Sequence, residues 1–455
     1  MDERRRALDA AHAAAVRFLD TLGSRPVWPR AGLDEMTEAF GGPLPATGED
    51  PAQVIEDLAA TADPGLVAIP GGRFFGFVIG GTLPAALASD WLVSAWDQNS
   101  GSSTMTTATV GIERVAGRWV CELLGLPDTA AVGFVTGAQV SNYVCLASAQ
   151  HSVLRRAGWD LTASGLRGAP AVRLVVGGDR HGSIDRAARF CGIGSSELVV
   201  ARSDDDGRMT VAGLTSALAE SDGPAIVCLQ AGEVHTGAFD PFDELIPIAR
   251  DHGAWVHVDG AFGLWAAASP RLEHLTAGVG AADSWTTDAH KTLNVPYDSG
   301  MAIVRDPADA IAMFRTGGDY LMFASLDPWD VAPELSRRAR GVPAWAALRS
   351  LGSAGVAELV DRLHRNALRL ADGLGGIRGV SVVNDVVYTQ VMFRLDDDER
   401  TRALGRAILA DGTAALTGAE WRGRAVLRCS MSSWATTDAD IDLTIEAIAR
   451  LSATL

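Results

Sequence analysis

The sequence predicts an α/β protein with a mostly parallel central sheet and a smaller α+β C-terminal domain. Short apolar runs alternate with helical patterns from about residue 130 to 306, whereas the rhythm changes after residue 310. Residues 1 to about 70 are mainly helical in pattern. Because 455 residues exceed one simple core, we predict three parts. They are an N-terminal helical segment (1–70), a large domain (71–315) and a small C-terminal domain (316–455).

Seven apolar runs predict the strands of the large domain. Each run is short and unbroken, which is typical of strands that are buried on both faces of a sheet. Helical patterns lie between most of them, and strands that alternate with helices form βαβ units with right-handed crossovers. The runs are AVGFVT (131–136), RLVV (173–176), LVV (198–200), AIVCLQA (225–231), AWVHVDG (254–260), SWTTD (284–288) and GMAIVRD (300–306).

The small domain is predicted from the pattern that follows. Helical periodicity extends over residues 343–376, and strand-like runs lie beyond it. Helices and strands that do not alternate regularly indicate an α+β unit. The strand-like runs are VSVV (380–383), VVYTQVMFRL (386–395) and AVLRCSMS (425–432).

Composition narrows the classes of partner. Acidic residues outnumber basic ones by 56 to 39, giving a formal net charge of −17, which argues against nucleic acid or an anionic membrane as a partner. The longest apolar stretch, residues 77–96, is interrupted by Pro84 and Asp90 and therefore does not predict a membrane span. The N-terminus carries charges of both signs and predicts an amphipathic helix, not a secretion signal.

Cysteines and histidines do not predict a metal site or a disulfide framework. The nine histidines show no metal-ligand spacing, and no two cysteines form a CxxC pair. Each cysteine lies in an apolar context, so we predict buried free thiols, as expected in the reducing cytoplasm. The cysteines are Cys121, Cys145, Cys191, Cys228 and Cys429.

Lys291 draws attention because the chain is poor in lysine and rich in arginine. It lies in the apolar stretch TTDAHKTLNVPYDSG (286–300), just after a predicted strand. Open parallel sheets bind ligands at the carboxyl ends of their strands, where Lys291 and Asp259 are both expected. Burial favours the neutral amine, which forms a Schiff base with an aldehyde. Pyridoxal phosphate (PLP) is such an aldehyde, and it requires a lysine, a carboxylate for its pyridine nitrogen and a phosphate site.

Asp259 is the predicted carboxylate. Alternation along HVDGAFG places His257 and Asp259 on one face of the strand. A buried carboxylate needs a cationic partner, which a pyridinium would supply. The structural alternative is an aspartate that caps the next turn. His181, just past the strand RLVV, is expected at the same end of the sheet and could stack on a ring. Its alternative is a surface or helix-capping residue.

The predicted phosphate site is TGAQVSN, which follows one strand and opens a helix. A helix N-terminus presents free N–H groups and the positive end of the helix dipole. Gly137 and Ala138 allow the backbone to approach closely, and Thr136 and Ser141 can add hydroxyl groups. A small-residue turn of this kind also has a purely structural interpretation.

With these residues taken together, the chain resembles the group II PLP-dependent amino acid decarboxylases, which include aromatic L-amino acid, glutamate and histidine decarboxylases. The resemblance extends from about residue 70 to 450. It implies the aspartate-aminotransferase-like fold, PLP-dependent transferase fold type I, and a homodimer with shared active sites. The segments that carry it are DAHKTLNVPYDSG (288–300), HVDGAFG (257–263) and QAGEVHTGAFDP (230–241).

The resemblance also implies a role for each matching residue. Lys291 would bind PLP as a Schiff base, Asp259 would pair with the pyridine nitrogen, and Ala261 and His181 would contact the two ring faces. Tyr320, the next tyrosine after Tyr297, would protonate the carbon that loses CO₂. The residues implied near the phosphate are Thr136, Gly137, Ala138, Gln139, Asp288 and His290. Those implied around the substrate are Arg428, at its carboxylate, and Phe74, Phe75 and Phe77.

The expected function is decarboxylation of an L-amino acid to an amine and CO₂. The phenylalanines favour a bulky or aromatic substrate, unless they are simply core residues. Aminotransfer, aldehyde formation and retro-aldol cleavage stay open, because they would use the same Lys291 and Asp259. A non-catalytic relative is disfavoured by the intact set of Lys291, Asp259 and His181. A dinucleotide-dependent dehydrogenase is disfavoured because TGAQVSN lacks the GxGxxG pattern.

Overall fold

The computed structural model describes residues 2–219, 223–315 and 326–455. They form two compact units. The smaller unit comprises Met1–Ile79, Leu368–Val383 and Met392–Leu455, and the larger unit comprises Gly80–Ala367 and Asn384–Val391. The domain boundaries expected from the sequence, at residues 70 and 315, stay a prediction.

A seven-stranded sheet forms the centre of the larger unit. Its strands are β1 (Ala131–Val135), β2 (Arg173–Gly177), β3 (Leu198–Ala201), β4 (Ala225–Gln230), β5 (Trp255–Asp259), β6 (Ser284–Asp288) and β7 (Gly300–Val304). The strand order is β1-β7-β6-β5-β4-β2-β3. The strands β6, β5, β4, β2 and β3, which are neighbours in this order, pair in parallel. Strand β7 pairs antiparallel with both β1 and β6. The predicted mostly parallel sheet is confirmed, with β7 as its reversed strand.

Burial on both faces explains why most of these strands are apolar runs, whereas β6 (SWTTD) is buried although four of its five residues are polar. Every residue of β4, β5, β6 and β7 is buried, so neither face of these strands requires polar side chains. The edge strand β3 differs, because its Val200 is 57% exposed.

Eight α-helices of the larger unit lie among the described residues between 80 and 315, and several of them contact the sheet. They are α4 (Pro84–Trp96), α5 (Thr107–Leu123), α6 (Ala138–Arg156), α7 (Leu161–Ser164), α8 (Gly182–Phe190), α9 (Val211–Ala219), α10 (Phe242–Asp251) and α11 (Pro307–Phe314). Helix α6 packs on β5, β6 and β7, and most of its residues are buried. It therefore projects side chains from its first turns onto the carboxyl ends of the central strands.

The smaller unit combines helices with a second sheet, as predicted for an α+β domain. Its sheet has the order β10-β11-β9-β8, in which β8 pairs with β9 and β10 with β11 in antiparallel fashion. The strands are β8 (Val380–Val382), β9 (Gln390–Leu395), β10 (Thr417–Trp421) and β11 (Arg424–Ser430). The helices are α1 (Glu3–Thr21), α2 (Leu33–Phe40), α3 (Pro51–Ala62), α13 (Asp398–Asp411) and α14 (Asp438–Ser452).

Two further predictions can be compared with the structure. Helix α12 (Gly341–Gly375) matches the predicted helical pattern and leaves helical geometry at Gly352, where φ is 64°. All five cysteines are buried free thiols, as predicted. Within the described segments, no helix combines the length and the apolar character that crossing a membrane requires.

Candidate active site

The lysine segment begins where β6 ends, at Asp288. The backbone N–H groups of Ala289 and His290 donate to the Ser299 carbonyl at 3.0 and 3.2 Å, which closes the segment into a tight loop. Within this loop Lys291 Nζ lies 3.1 Å from Asp288 Oδ2. Lys291 is the only lysine of the chain, and its side chain is 20% exposed. The structure thus holds this amine beside a buried carboxylate at the carboxyl end of the sheet.

His290 is oriented by its neighbours. Its Nδ1 accepts a hydrogen bond from the Ser299 backbone N–H at 3.2 Å, and its ring stacks on Tyr297 with 4.3 Å between centroids. Burial lowers the pKa of His290, so the ring is neutral near pH 7 and its hydrogen is on Nε2. Nε2 lies 3.5 Å from Asp288 Oδ2. His290 can therefore offer one N–H donor at this end of the sheet.

The predicted phosphate turn lies against the same residues. Helix α6 begins after Gly137 without a side-chain cap, which leaves its first N–H groups to an external acceptor. A β-carbon on Gly137 would lie 3.1 Å from His290 Cε1. A β-carbon on Gly300 would lie 2.8 Å from Asp288 Oδ1 and would overlap the backbone of Gly137. Only glycine permits this close approach of α6, β7 and the lysine segment.

One buried oxygen beside this turn has no hydrogen-bond partner among the described residues. It is Asp288 Oδ1, which lies 3.6 Å from the position of a β-carbon on Gly137. Buried polar groups are nearly always paired, so this atom indicates that a bound group supplies a partner here. The uncapped helix N-terminus and the His290 Nε2–H are donors that suit a phosphate.

Asp259 is buried at the end of β5, on the neighbouring strand. Its Oδ1 accepts from the Ala261 backbone N–H at 3.2 Å, and its Oδ2 accepts from Asn142 Nδ2 at 2.9 Å. His257, on the same face of the strand, lies with Nε2 2.9 Å from Asn142 Oδ1. Burial lowers the pKa of His257 to about 4, against a smaller opposing effect of Asp259. A neutral histidine and the Asn142 amide therefore support the carboxylate.

His181 is the N-cap of α8, which agrees with the capping alternative of the sequence analysis. Its Nδ1 accepts from the Ser183 backbone N–H at 3.2 Å and lies 2.9 Å from Ser183 Oγ. Ser183 in turn contacts two residues of α6. Asn142 Nδ2 donates to its hydroxyl at 3.2 Å, and Gln139 Nε2 donates to its carbonyl at 3.4 Å. The structure thus connects the His181 turn with Asp259 and with the phosphate turn.

Ser141 departs from the sequence prediction. Its hydroxyl donates to the Met301 carbonyl at 2.6 Å and lies 2.8 Å from Thr286 Oγ1. The expectation that it would add a hydroxyl to the phosphate site is therefore wrong, because the helix turns this side chain towards the sheet. Thr136, which ends the same strand, stays a prediction.

The predicted substrate residues belong to the smaller unit. Arg428 Nη2 donates to the Phe77 carbonyl at 3.2 Å, and Phe77 N–H donates to Thr417 Oγ1 at 2.6 Å. Phe74 and Phe75 are buried, which agrees with the core interpretation, whereas the Phe77 ring is 56% exposed. Tyr320, the predicted proton donor, lies outside the described residues.

Sequence reasoning did not assign a role to Asn142, Ser183 or Ser299. Asn142 lies within TGAQVSN, four residues after Ala138, on the face of α6 that continues the phosphate turn. That helical spacing is the signal that could have identified it. Ser183 and Ser299 could be identified only from the residues that they contact in the folded structure.

Comparisons with known proteins agree with this site. The family model described as the pyridoxal-dependent decarboxylase conserved domain matches residues 34–396. An aromatic-L-amino-acid decarboxylase of Bacillus atrophaeus is 25% identical over 451 residues, covering 93% of this chain and 90% of that protein. A 4-hydroxyphenylacetaldehyde synthase of Rhodiola rosea is 25% identical over 449 residues, covering 94% and 90%.

Solved structures agree in fold. The crystal structure of Oryza sativa TDC with PLP and tryptamine superposes with a TM-score of 0.93 at 23% sequence identity, covering 100% of this chain and 98% of that chain. The predicted fold type I architecture is therefore confirmed. With the family match over most of its length, the chain belongs to the pyridoxal-phosphate-dependent amino acid decarboxylases, lyases whose cofactor is PLP.

Proposed function

We propose that the protein decarboxylates an L-amino acid with a bulky or aromatic side chain, releasing an amine and CO₂, with PLP attached to Lys291. The observation that carries this proposal is the convergence at the carboxyl ends of β5 and β6. Lys291 Nζ, Asp288, His290 and the uncapped N-terminus of α6 meet there, and Asp259 ends the adjacent strand.

The residues present fit the cofactor. Lys291 would bind its aldehyde, and Asp259 would face its pyridine nitrogen. The first amides of α6 at Gly137, Ala138 and Gln139 would bind its phosphate with the His290 Nε2–H. The unpaired Asp288 Oδ1 lies beside the phosphate turn. His181 and Ala261 would border the ring.

Bound PLP supplies an electron sink for the electron pair released when a bond to the substrate α-carbon breaks. The protein supplies charge and orientation. Asp259, held by two N–H donors, favours a protonated pyridine nitrogen. Asp288, 3.1 Å from Lys291 Nζ, can hold a proton at that amine while the lysine binds or releases its partner. We assign Arg428 to the substrate carboxylate and Tyr320 to the return of a proton to carbon.

The preference for a bulky or aromatic substrate rests on two observations. Phe77 is 56% exposed, so this ring can contact a ligand, unlike the buried Phe74 and Phe75. A full-length relative is named an aromatic-L-amino-acid decarboxylase. Aldehyde formation is the second candidate, because the relative from Rhodiola rosea is named an aldehyde synthase and has the same sequence identity.

We also propose a homodimer with shared sites. Helices α1, α2 and α3 contain no fully buried residue, and large apolar side chains are exposed near them, including Leu33 at 82% and Leu44 at 94%. Such a surface favours a protein partner, and a second copy would cover it. Light scattering of the purified protein should give twice the 47.7 kDa chain mass. A cytoplasmic location stays a prediction from the cysteine pattern.

The decisive experiment uses borohydride reduction of the PLP-loaded protein. Because Lys291 is the only lysine, reduced cofactor is expected on the peptide that contains it, and mass spectrometry can separate that peptide from the N-terminal amine. Lys291→Ala should lose this label. Wild-type protein that stays unlabelled at saturating PLP would overturn the proposal. An amino acid panel scored for CO₂, amine, aldehyde and keto acid then separates decarboxylation from the alternatives.

A further inference from the structure

We propose that Asn142 is a positioning residue for this reaction, because its one amide group orients both Asp259 and the His181 turn. The inference rests on the proposed roles of those two residues at the cofactor ring. Asn142 itself acts through them. It is fully buried on α6 and bridges the end of β5 and the start of α8.

The orientation of the Asn142 amide follows from Asp259. An ionised carboxylate only accepts hydrogen bonds, so the Asn142 atom 2.9 Å from Asp259 Oδ2 must be the nitrogen. The Asn142 oxygen then faces His257, whose Nε2 at 2.9 Å must carry a hydrogen. Neutral His257 therefore has a bare Nδ1, which accepts from Ser284 Oγ at 3.0 Å.

The Trp255 end of this series of hydrogen bonds is compatible with the same direction. The Trp255 indole N–H can only donate, and it lies 2.9 Å from Ser284 Oγ. With one lone pair of Ser284 used in this way, its own hydrogen is available for His257 Nδ1. Donors therefore point from Trp255 through Ser284 and His257 to Asn142.

The second amide hydrogen of Asn142 extends the direction to His181. Asn142 Nδ2 lies 3.2 Å from Ser183 Oγ, so the Ser183 oxygen accepts and its own hydrogen points to His181 Nδ1, 2.9 Å away. The Ser183 backbone N–H donates to that same nitrogen at 3.2 Å. His181 Nδ1 thus faces two donors, which places a ring hydrogen on Nε2.

The pattern requires two N–H donors and one acceptor at position 142, which an amide side chain supplies. An aspartate has no N–H to give to Asp259 or Ser183, and an alanine would leave three buried polar groups without their partner. Because the chain of donors lies inside the protein and every member is paired, the orientation is set before any ligand binds. Asn142 consequently links the orientation of Asp259 to that of the Ser183 hydroxyl, which contacts His181 Nδ1.

The test uses wild-type protein, Asn142→Asp, and Ser148→Ala as a matched control. Ser148 is buried on the same helix, and its hydroxyl donates only within α6, to the Val144 carbonyl at 2.9 Å. The first readout is the ¹⁵N-histidine NMR spectrum of the cofactor-free protein, assigned with His181→Gln and His257→Gln. We expect the Nε2–H tautomer for both rings in wild-type protein and in the control.

In Asn142→Asp the new carboxylate accepts from both His257 and Ser183. The Ser183 hydroxyl then turns away from His181, and Nδ1 keeps only the Ser183 backbone N–H at 3.2 Å. We therefore expect the His181 Nδ1 resonance to shift while the Nε2–H tautomer persists. The second readout is the PLP dissociation constant. Loss of a hydrogen bond to a charged group should weaken PLP binding about 10- to 100-fold, while Ser148→Ala binds as wild type does.

Three results would overturn the inference. They are an Nδ1–H tautomer of either ring in wild-type protein, wild-type PLP affinity in Asn142→Asp, and an equal loss of affinity in Ser148→Ala. The tautomers are read without cofactor, so they do not depend on the labelling of Lys291. Failure of that labelling would reject the proposed function and leave the hydrogen-bond direction standing.

Discussion

The two ends of the candidate site differ in how far the protein satisfies its own polar groups. Around Asp259, the side chains of Asn142, His257, Ser183 and Ser284 exchange hydrogen bonds with one another. The N-terminus of α6, by contrast, has no side-chain cap, and Asp288 Oδ1 beside it has no partner within the described ranges.

Physical cost explains the contrast. A buried polar group without a partner costs about 1–3 kcal/mol of stability. A native protein therefore retains such a group chiefly where a bound ligand or water completes its hydrogen bonds. The Asp259 end needs an exact orientation, which a closed set of hydrogen bonds supplies. At the N-terminus of α6, backbone N–H groups stay free to donate to an anion. The network around Asp259 thus orients side chains, and the N-terminus of α6 binds a ligand.

The largest expected effect comes from removing the negative charge of Asp259. Asp259→Asn removes the negative charge, and its amide nitrogen also opposes either the Asn142 amide or the Ala261 N–H. Loss of one member of a buried ion pair costs about 3–5 kcal/mol, and we expect decarboxylation to slow by about 10²- to 10⁴-fold. Steady-state kinetics at saturating PLP measure this.

The matched control for that variant is Asp309→Asn. Asp309 is also buried, on α11, where it pairs with Arg155 at 3.0 Å. It should leave turnover unchanged. Wild-type rates in Asp259→Asn would remove the pyridine partner from the proposal.

Acid should lower the stability of the folded protein by protonating His257, which lies on the same face of β5 as Asp259. Its pKa falls from 6.5 to about 4 on burial, so between these values the unfolded chain binds more protons than the folded protein. The stability that this group contributes is complete above pH 6.5 and is lost as the pH falls towards 4, by roughly 3 kcal/mol. Urea unfolding at pH 7 and pH 4.5 measures it, and His257→Gln should lack this component. Identical pH dependence in both proteins would contradict it.

The smallest effect is expected from Gly300→Ala, beside the N-terminus of α6. The added methyl group would overlap the Gly137 backbone and press on Asp288 Oδ1, at 2.8 Å. Overpacking of this kind costs about 1–3 kcal/mol, and we expect weaker PLP binding as α6 is displaced. Absorbance titration with PLP measures this. Gly111→Ala, where the methyl group meets open space, is the control. Equal affinities in both variants would show that the close approach is unimportant.

Much of the fold was predictable because the patterns that indicate strands and helices involve residues close together in the chain. Unbroken apolar runs predicted all seven strands of the large sheet, and β4 to β7 are buried throughout. The lysine segment and Asp259 were predictable because both follow strands of one parallel sheet. The use of Ser141 was predicted wrongly, because a hydroxyl in the first turn of a helix can point to a ligand or to the sheet.

The sequence by itself determined the strands, the alternating order of the larger unit, and the two residues most directly suited to PLP, Lys291 and Asp259. Only the tertiary structure decided that β7 inserts in reverse between β1 and β6, which brings Gly300 against Gly137. It also decided that Asn142 meets Asp259, 117 residues away in the chain. The physical reason is that strand and helix patterns arise from near neighbours, whereas hydrogen-bond partners at the strand ends depend on sheet order.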